Sequence, residues 1–320
     1  MKLYTADEMS RADGGAQELG IPGGVLMERA GAAMAEEILE RYSTKRALVV
    51  SGGGNNGGDG FVIARELHLA GVDVALLATK DEYSGDPEVN LGVLRNLDLE
   101  VVGPEALGSE LGRTDLVVDA LLGTGFSGEV REKEAALIRQ INDSRLPVVA
   151  VDVPSGVDGS TGQVQGDAIY VDLTICAHAA KVGCVVSPGR EHAGEVTVVD
   201  IGIPPEADVQ PSLSWTDAGS LRGSIPRTVE PAHKYSAGAL LVVAGSRSMT
   251  GAAVMSVGGA QRTGCGIVFL ATPESAAAAV DLQLTEALVS GAPENEDGYL
   301  SEEALDPILE RAGRVSRLVA

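Results

Sequence analysis

Residues 51–71 read SGGGNNGGDGFVIARELHLAG, and no other stretch of the 320-residue chain constrains the fold as strongly. The segment follows a short apolar run at 47–50. It leads into an amphipathic stretch that predicts a helix over 59–70, stopped by Gly71. Strand, glycine loop and helix in that order is where a parallel α/β sheet receives an anionic ligand. The spacing is neither the dinucleotide fingerprint GxGxxG nor a phosphate loop, because no Lys-Ser/Thr pair follows. Two asparagines and an aspartate add polar groups able to hold a substrate or a cation.

The same rhythm runs through the next 150 residues or so. Helices are predicted at 5–19 and 23–41, the second with Val25, Leu26, Ala30, Ala33, Met34, Ile38 and Leu39 on one stripe. Strands at 46–51, 72–78, 99–102, 116–119, 147–151, 171–176 and 196–199 alternate with helices at 87–94 and 131–142. ALVVS and VDVALLA are almost continuous apolar runs, as expected of strands buried on both faces. The pattern therefore predicts an α/β fold, a parallel sheet covered by helices. Residues 204–230 are rich in Pro and Ser and break the rhythm. A linker is placed at 213–229, between a first domain at 1–212 and a second region at 230–320. That region shows strands at 239–244 and 266–271 and helices at 251–262, 277–288 and 302–311. Two strands are thin for an independent α/β domain, so the region reads as incomplete.

The net charge of −22 lacks the basic footprint of a nucleic-acid surface, and no nucleic-acid partner is expected. An anionic ligand would be held by backbone amides or a bound cation rather than by the overall field. Cys176, Cys184 and Cys265 form no CxxC pair and read as small buried hydrophobes in a reducing compartment. The opening MKLYTADEMSRADGG has no apolar core, and no apolar run reaches membrane length. A cytoplasmic protein without a membrane partner is expected.

Three loops follow three strands: 52–60, 119–129 (DALLGTGFSGE) and 152–158 (DVPSGVD). Loops at the carboxyl ends of parallel strands gather at one edge of the sheet. Each combines a carboxylate with glycines whose N–H groups can face an oxyanion. Asn56, Asp119 and Ser155 offer an amide oxygen, a carboxylate and a hydroxyl, hard donors suited to a group I or group II cation. One carboxylate among neutral oxygens favours a weakly held monovalent ion. Asp59 reads equally as a site residue or as a carboxylate at a helix N-terminus. Lys181, in HAAKVG, reads as a surface lysine, with a phosphate or carboxylate contact as the alternative.

NNGGDG at 55–60, DALLGTG at 119–125 and DVPSGVDG at 152–159 together closely resemble the epimerase domain of the NAD(P)H-hydrate repair enzymes, the YjeF N-terminal type, over residues 1–212. HKYSAGALLVVAGSRSMTGAA at 233–253 and GCGIVFLATP at 264–273 resemble the start of the ribokinase-like, ADP- or ATP-dependent NAD(P)H-hydrate dehydratase. The resemblance implies a Rossmann-like three-layer α/β/α sandwich followed by an incomplete ribokinase-like α/β region. It implies that Asn55, Asn56, Gly57, Gly58 and Asp59 contact the hydrated nucleotide. Gly123, Thr124, Gly125, Phe126, Ser127, Gly128 and Glu129 would line it, and Asp152 would bind it. Asn56, Asp119 and Ser155 would ligate K+. The implied substrate is hydrated NADH or NADPH, in a homo-oligomer.

The implied activity is exchange of the R and S forms of the hydrate, with Asp119 or Asp152 as the acid/base group. The later Gly-Thr-Gly-Asp type of segment that the dehydratase family uses is not seen after Pro273. Dehydratase activity is therefore expected to be absent, and ADP or ATP to matter only if a complete dehydratase domain exists. A bifunctional enzyme of which this chain is a fragment is one alternative. A non-catalytic nucleotide-binding or scaffold module is the other, although Asp59, Asp119 and Asp152 are all present.

Overall fold

The computed structural model describes residues 1–222, 233–315 and 317–319 and divides into units Met1–Arg222 and Gly223–Ala320. The first runs β1 (Lys2–Tyr4), α1 (Ala6–Glu18), α2 (Gly23–Arg41), β2 (Arg46–Ser51), α3 (Asn55–Leu69), β3 (Asp73–Ala78), α4 (Asp86–Asn96), β4 (Glu100–Val102), α5 (Leu107–Leu111), β5 (Leu116–Ala120), α6 (Glu132–Ser144), β6 (Val148–Val151), β7 (Leu173–Ala177), β8 (Ala180–Lys181), β9 (Glu195–Val199), β10 (Leu213–Ser214) and α7 (Ala218–Leu221).

Seven of these strands form one parallel sheet in the order β4-β3-β2-β5-β6-β7-β9. The apolar runs account for its layers. On one face Ala47 and Val49 of β2, Val118 of β5 and Val149 of β6 pack with Met34 and Ile38 of α2 and Ala64 and Leu67 of α3. On the other, Leu48 and Val50 of β2 and Val117 of β5 pack with Leu137, Ile138 and Ile141 of α6. A strand with apolar neighbours on both faces needs helices on both, hence three layers. Met34 and Ile38 are fully buried, a burial that stabilises by about 2 kcal/mol each. Val25 and Leu39, read with that stripe, lie at its margin and stay exposed.

Two short pairings were not visible in the sequence. β1 pairs parallel with β8 and antiparallel with β10, making a small second sheet. Part of the expected linker therefore belongs to the first unit. Leu213 pairs with Leu3, the Trp215 amide donates to the Met1 carbonyl at 2.8 Å, and the Ser212 amide donates to Glu8 at 2.8 Å. Residues 223–229 of that stretch lie outside the described residues.

The second unit runs β11 (Ala239–Val243), α8 (Gly251–Arg262), β12 (Ile267–Pro273), α9 (Glu274–Asp281), β13 (Ala287–Ala292), α10 (Leu305–Ala312) and β14 (Arg317–Val319). Its parallel sheet has the order β13-β12-β11-β14, four strands where the sequence suggested two. The helix predicted over 277–288 hid one of the two, β13, and β14 was not read at all. The alanine run of that helix favours helix locally, but α9 ends at Asp281 and Ala287–Ala292 pairs along β12 over six positions. Long-range pairing overrides local propensity there. Val242, Ala253, Val257, Val268, Leu270 and Val280 form the core.

Candidate active site

The order of the first sheet places the site. From β2 the chain moves outward through β3 and β4, then returns to β5 on the other side of β2 and continues through β6 and β7. The crevice between β2 and β5 is thus the switch point at which open α/β sheets bind ligands. The three glycine loops leave β2, β5 and β6, which are neighbours. A cavity of about 1210 Å³ opens there. That exceeds the roughly 300–1,000 Å³ typical of drug-sized ligands and leaves room for a dinucleotide.

The first loop is shorter than expected, because α3 begins at Asn55 rather than near residue 59. Only Gly52, Gly53 and Gly54 form the turn, and NNGGDG is the first turn and a half of the helix. Glycine is required where backbones touch. A Cβ on Gly52 would lie 1.8 Å from the Leu121 carbonyl oxygen, and one on Gly57 1.9 Å from the Gly52 carbonyl oxygen. Gly54, the N-cap of α3, supplies no side-chain cap. The first amides of the helix are therefore left for a ligand, and the positive end of its dipole faces the cavity.

Asn55, Asn56 and Asp59, then Gly123, Thr124, Gly125, Phe126, Ser127 and Glu129, then Asp152 all line this cavity. Gly57 and Gly58 do not; they are buried within α3. Gly128, at φ +85, is a turn residue outside the lining. Asp119 and Ser155 are fully buried and also outside it.

Asp119 is held from three directions. Its Oδ1 accepts from the Ser155 hydroxyl at 2.6 Å and the Leu121 amide at 3.2 Å, and its Oδ2 from the Ser155 amide at 2.8 Å. Burial pushes its carboxyl up to about 6, against these donors, which pull it down. The Asn56 side-chain amide donates to the Leu122 carbonyl at 3.1 Å, and the Leu122 amide donates to the Ser155 hydroxyl at 2.8 Å. Asn56, Asp119, Ser155 and the Leu122 carbonyl therefore share one spot. Among the described residues no group of three or more His, Cys or carboxylate side chains could hold a metal. One carboxylate among neutral oxygens fits a monovalent cation rather than a divalent one.

Asp152 is placed differently, at the cavity wall. Its Oδ1 accepts from the Lys181 ammonium at 2.5 Å and the Ala177 amide at 3.1 Å, and its Oδ2 from the Thr124 hydroxyl. Lys181 is not the surface lysine of the preferred sequence reading. It is fully buried. Burial pulls its ammonium down, but Asp152 beside it outweighs this and leaves it above its ordinary value.

Asp86, Glu129 and Glu134 also line the cavity, and so do two carboxyls with raised values, those of Asp13 and Asp59. Neither Asp13 nor Asp59 makes a hydrogen bond or ion pair with another described residue. Burial, reinforced by the charges of Asp152 and Asp13, pushes Asp59 well above the carboxylate range. Burial pushes Asp13 up to about 6, with Lys181 opposing and Asp152 adding. Asp13 carries no local signal in the sequence. It sits in α1 next to the buried Met9, Ala12 and Ala16, far from the three loops in the chain. Lys80 and Arg131 supply cations on the wall.

Residues 23–183 match the family described as YjeF-related protein N-terminus. The chain is 39% identical over 211 residues to the NAD(P)H-hydrate epimerase of Pirellula staleyi, covering 63% of this chain and 91% of that protein. The chain belongs to the YjeF-related family. Residues 240–311 also match the NAD(P)H-hydrate dehydratase family. The bifunctional NAD(P)H-hydrate repair enzyme Nnr of Moorella thermoacetica is 37% identical over 333 residues, covering 99% of this chain. The chain spans 63% of the length of that relative. Among solved structures, yeast ynu0 superposes with a TM-score of 0.55 at 23% identity, over 62% of this chain and 88% of that one, a likeness of fold. The second match agrees with the dehydratase resemblance of the region after residue 230 and counts against the expectation that dehydratase activity is absent.

Proposed function

We propose that the protein serves in repair of hydrated NADH and NADPH as a bifunctional enzyme. Its first unit exchanges the R and S forms of the hydrate. Its second unit contributes to dehydration of the same compound with ADP or ATP. The observation that carries the reading is the convergence of three glycine loops and four aspartates on one dinucleotide-sized cavity, in a chain that also matches a dehydratase family.

The hydrate carries a hydroxyl on C6, next to the ring nitrogen. Protonation of that hydroxyl lets the nitrogen lone pair expel it as water, leaving a planar iminium. Water then adds to the opposite face and gives up a proton. Asp13 and Asp59, whose surroundings favour the protonated form, are the donors in reach of the cavity. Asp152, fixed by Lys181 and Thr124, is the acceptor. Asp119 lies behind the wall, so of the two aspartates first considered it is Asp152 that can meet the ring. The amides that open α3, with Lys80 and Arg131, hold the nucleotide's phosphates. Asn56, Asp119, Ser155 and the Leu122 carbonyl would hold K+, which when bound supplies a fixed positive charge beneath the loops.

The test is a chromatographic time course on R-enriched hydrate, in potassium buffer and in potassium-free buffer, without ADP or ATP. Approach to the R/S equilibrium faster than the blank, and faster with potassium, is expected. No acceleration in either buffer would remove the epimerase reading. Consumption of hydrate on adding ADP or ATP tests the second activity.

A further inference from the structure

Lys181 holds a buried charge without a direct part in the reaction just described. Its ammonium has three protons and three acceptors: Asp152 Oδ1 at 2.5 Å, the Ala177 carbonyl at 2.8 Å and the Ala179 carbonyl at 3.0 Å. Its backbone is pinned as well, since Lys181 lies opposite Tyr4 where β8 pairs with β1. The group it touches is unusual in its own right. Asp152 has φ +68, in the left-handed region that few non-glycine residues occupy. The Asp152 amide donates to Ile175 at 2.8 Å, and its carbonyl accepts from the Cys176 thiol at 3.2 Å.

We propose that Lys181 is a positioning residue for the cavity's chemistry: it fixes the Asp152 carboxyl so that Oδ2, beside the Thr124 hydroxyl, is the oxygen offered to a bound substrate. The inference rests on the epimerase reading of the first unit. A carboxyl on an sp³–sp² torsion has a broad, nearly two-fold rotational preference, so its two oxygens exchange roles readily. The ammonium and the Ala177 amide both take Oδ1, which breaks that equivalence. Stability alone is a weak reason for such a pair, because well-packed apolar residues often replace a buried ion pair without loss. Geometry at the cavity wall is what an apolar pair could not reproduce. All three protons of Lys181 are committed, so Asp152 is the one carboxyl it meets by contact, and on Asp13 and Asp59 it acts only through its charge.

The full chain would be prepared as Lys181→Met, Asp152→Asn and the double variant. Each would be assayed for hydrate exchange, with kcat and KM separated, for its urea midpoint, and by crystallography. Lys181→Met should lower kcat about 10–100-fold per folded molecule, the scale of a misplaced catalytic group, with KM changed less than about threefold. Its crystal structure should show the Asp152 carboxyl turned away from Thr124. The double variant should regain much of the lost urea midpoint while its kcat stays at the Asp152→Asn level; the discriminating result is the kcat lost per folded Lys181→Met molecule, which a purely structural lysine would not produce. A kcat within about twofold of wild type would overturn the proposal, as would an Asp152 that keeps its bonds to Thr124 and Ala177 in Lys181→Met. Should that variant not fold, Lys181→Gln, which keeps two N–H donors without the charge, takes its place in both measurements. A wild-type protein that exchanges no hydrate removes the epimerase reading instead, and the crystal structure of the variant still decides whether Lys181 orients Asp152.

Discussion

Asp13 and Glu8 lie on the same helix, and the structure assigns them opposite pH signatures. Asp13 has a folded-state value of about 6 against an ordinary 3.8, through burial at the cavity wall. Its unfolded form ionises first as pH rises. The folded state therefore carries a growing penalty between about pH 4 and pH 6, which then stays constant. A gap of that size corresponds to about 3 kcal/mol, and because Asp13 is only half-buried, solvent screening brings it to about 1–2 kcal/mol. Asp13→Asn should therefore be more stable than wild type at pH 8 by about 1–2 kcal/mol, raising the melting midpoint of the first unit by about 2–8 °C, and no more stable at pH 4. The same change should slow hydrate exchange, since it removes a proton donor. Glu8 runs the other way. The Thr5 amide, with further donors from Thr5 and Ser212, holds it down to about 2 from 4.5. Its contribution is present above about pH 4.5 and is lost as pH falls through about 2. Glu8→Gln should cost about 3 kcal/mol at pH 7 and nothing at pH 2. Urea unfolding of the three proteins from pH 2 to pH 8, followed by circular dichroism, reads both signs. An Asp13→Asn variant equal to or weaker than wild type at pH 8 would refute the burial argument for Asp13.

Gly52→Ala forces a methyl group onto the Leu121 carbonyl 1.8 Å away, so the loops after β2 and β5 must separate. A loss of about 1–3 kcal/mol in urea unfolding and a KM raised at least about tenfold are expected. Ser155→Ala removes the hydroxyl that donates to Asp119 and accepts from Leu122; it should cost about 1–3 kcal/mol by the same assay and abolish potassium stimulation of hydrate exchange. A nucleotide approaching a chain of net charge −22 is repelled at long range. Raising ionic strength from about 0.01 to 0.15 M should therefore lower KM in steady-state exchange assays, whereas a rising KM would show the wall cations dominating the approach.

What the sequence made legible was what local pattern encodes. The runs ALVVS and VDVALLA announced β2 and β3, and a carboxylate beside glycines after each of three strands placed the site at one sheet edge. What stayed hidden depends on distance in the chain. β1, β8 and β10 are two or three residues long and exist because Leu3 meets Ala180 and Leu213. β13 was missed because the helix read over 277–288 ran into its first two residues, alanine favouring helix until a strand edge is there to pair with. The start of α3 was set too late because Gly57, Gly58 and Gly60 are poor helix formers. Their close packing against Gly52, Met27 and Ser51 is what makes glycine necessary there. Lys181 sits four residues past β7 and looked exposed, since nothing nearby in the chain shows that Asp152 folds over it.

The acidic composition and the anionic ligand are reconciled by where the charges stand. Long-range charge sets how often a nucleotide arrives, but the groups within a few ångströms decide whether it stays. At the cavity the charges are unevenly disposed. Lys181 is committed to Asp152, Arg131 and Lys80 stand on the wall, and α3 presents an uncapped N-terminus. Asp86, Glu129 and Glu134 line it too, while burial holds Asp59 toward its neutral form and delays the charge on Asp13 until pH rises through about 6. The burial that disfavours their negative charge also makes them proton donors. In the proposed reaction, nucleotide binding and acid catalysis draw on the same desolvation, and a substitution that neutralises Asp13 should separate them, keeping the first and losing the second.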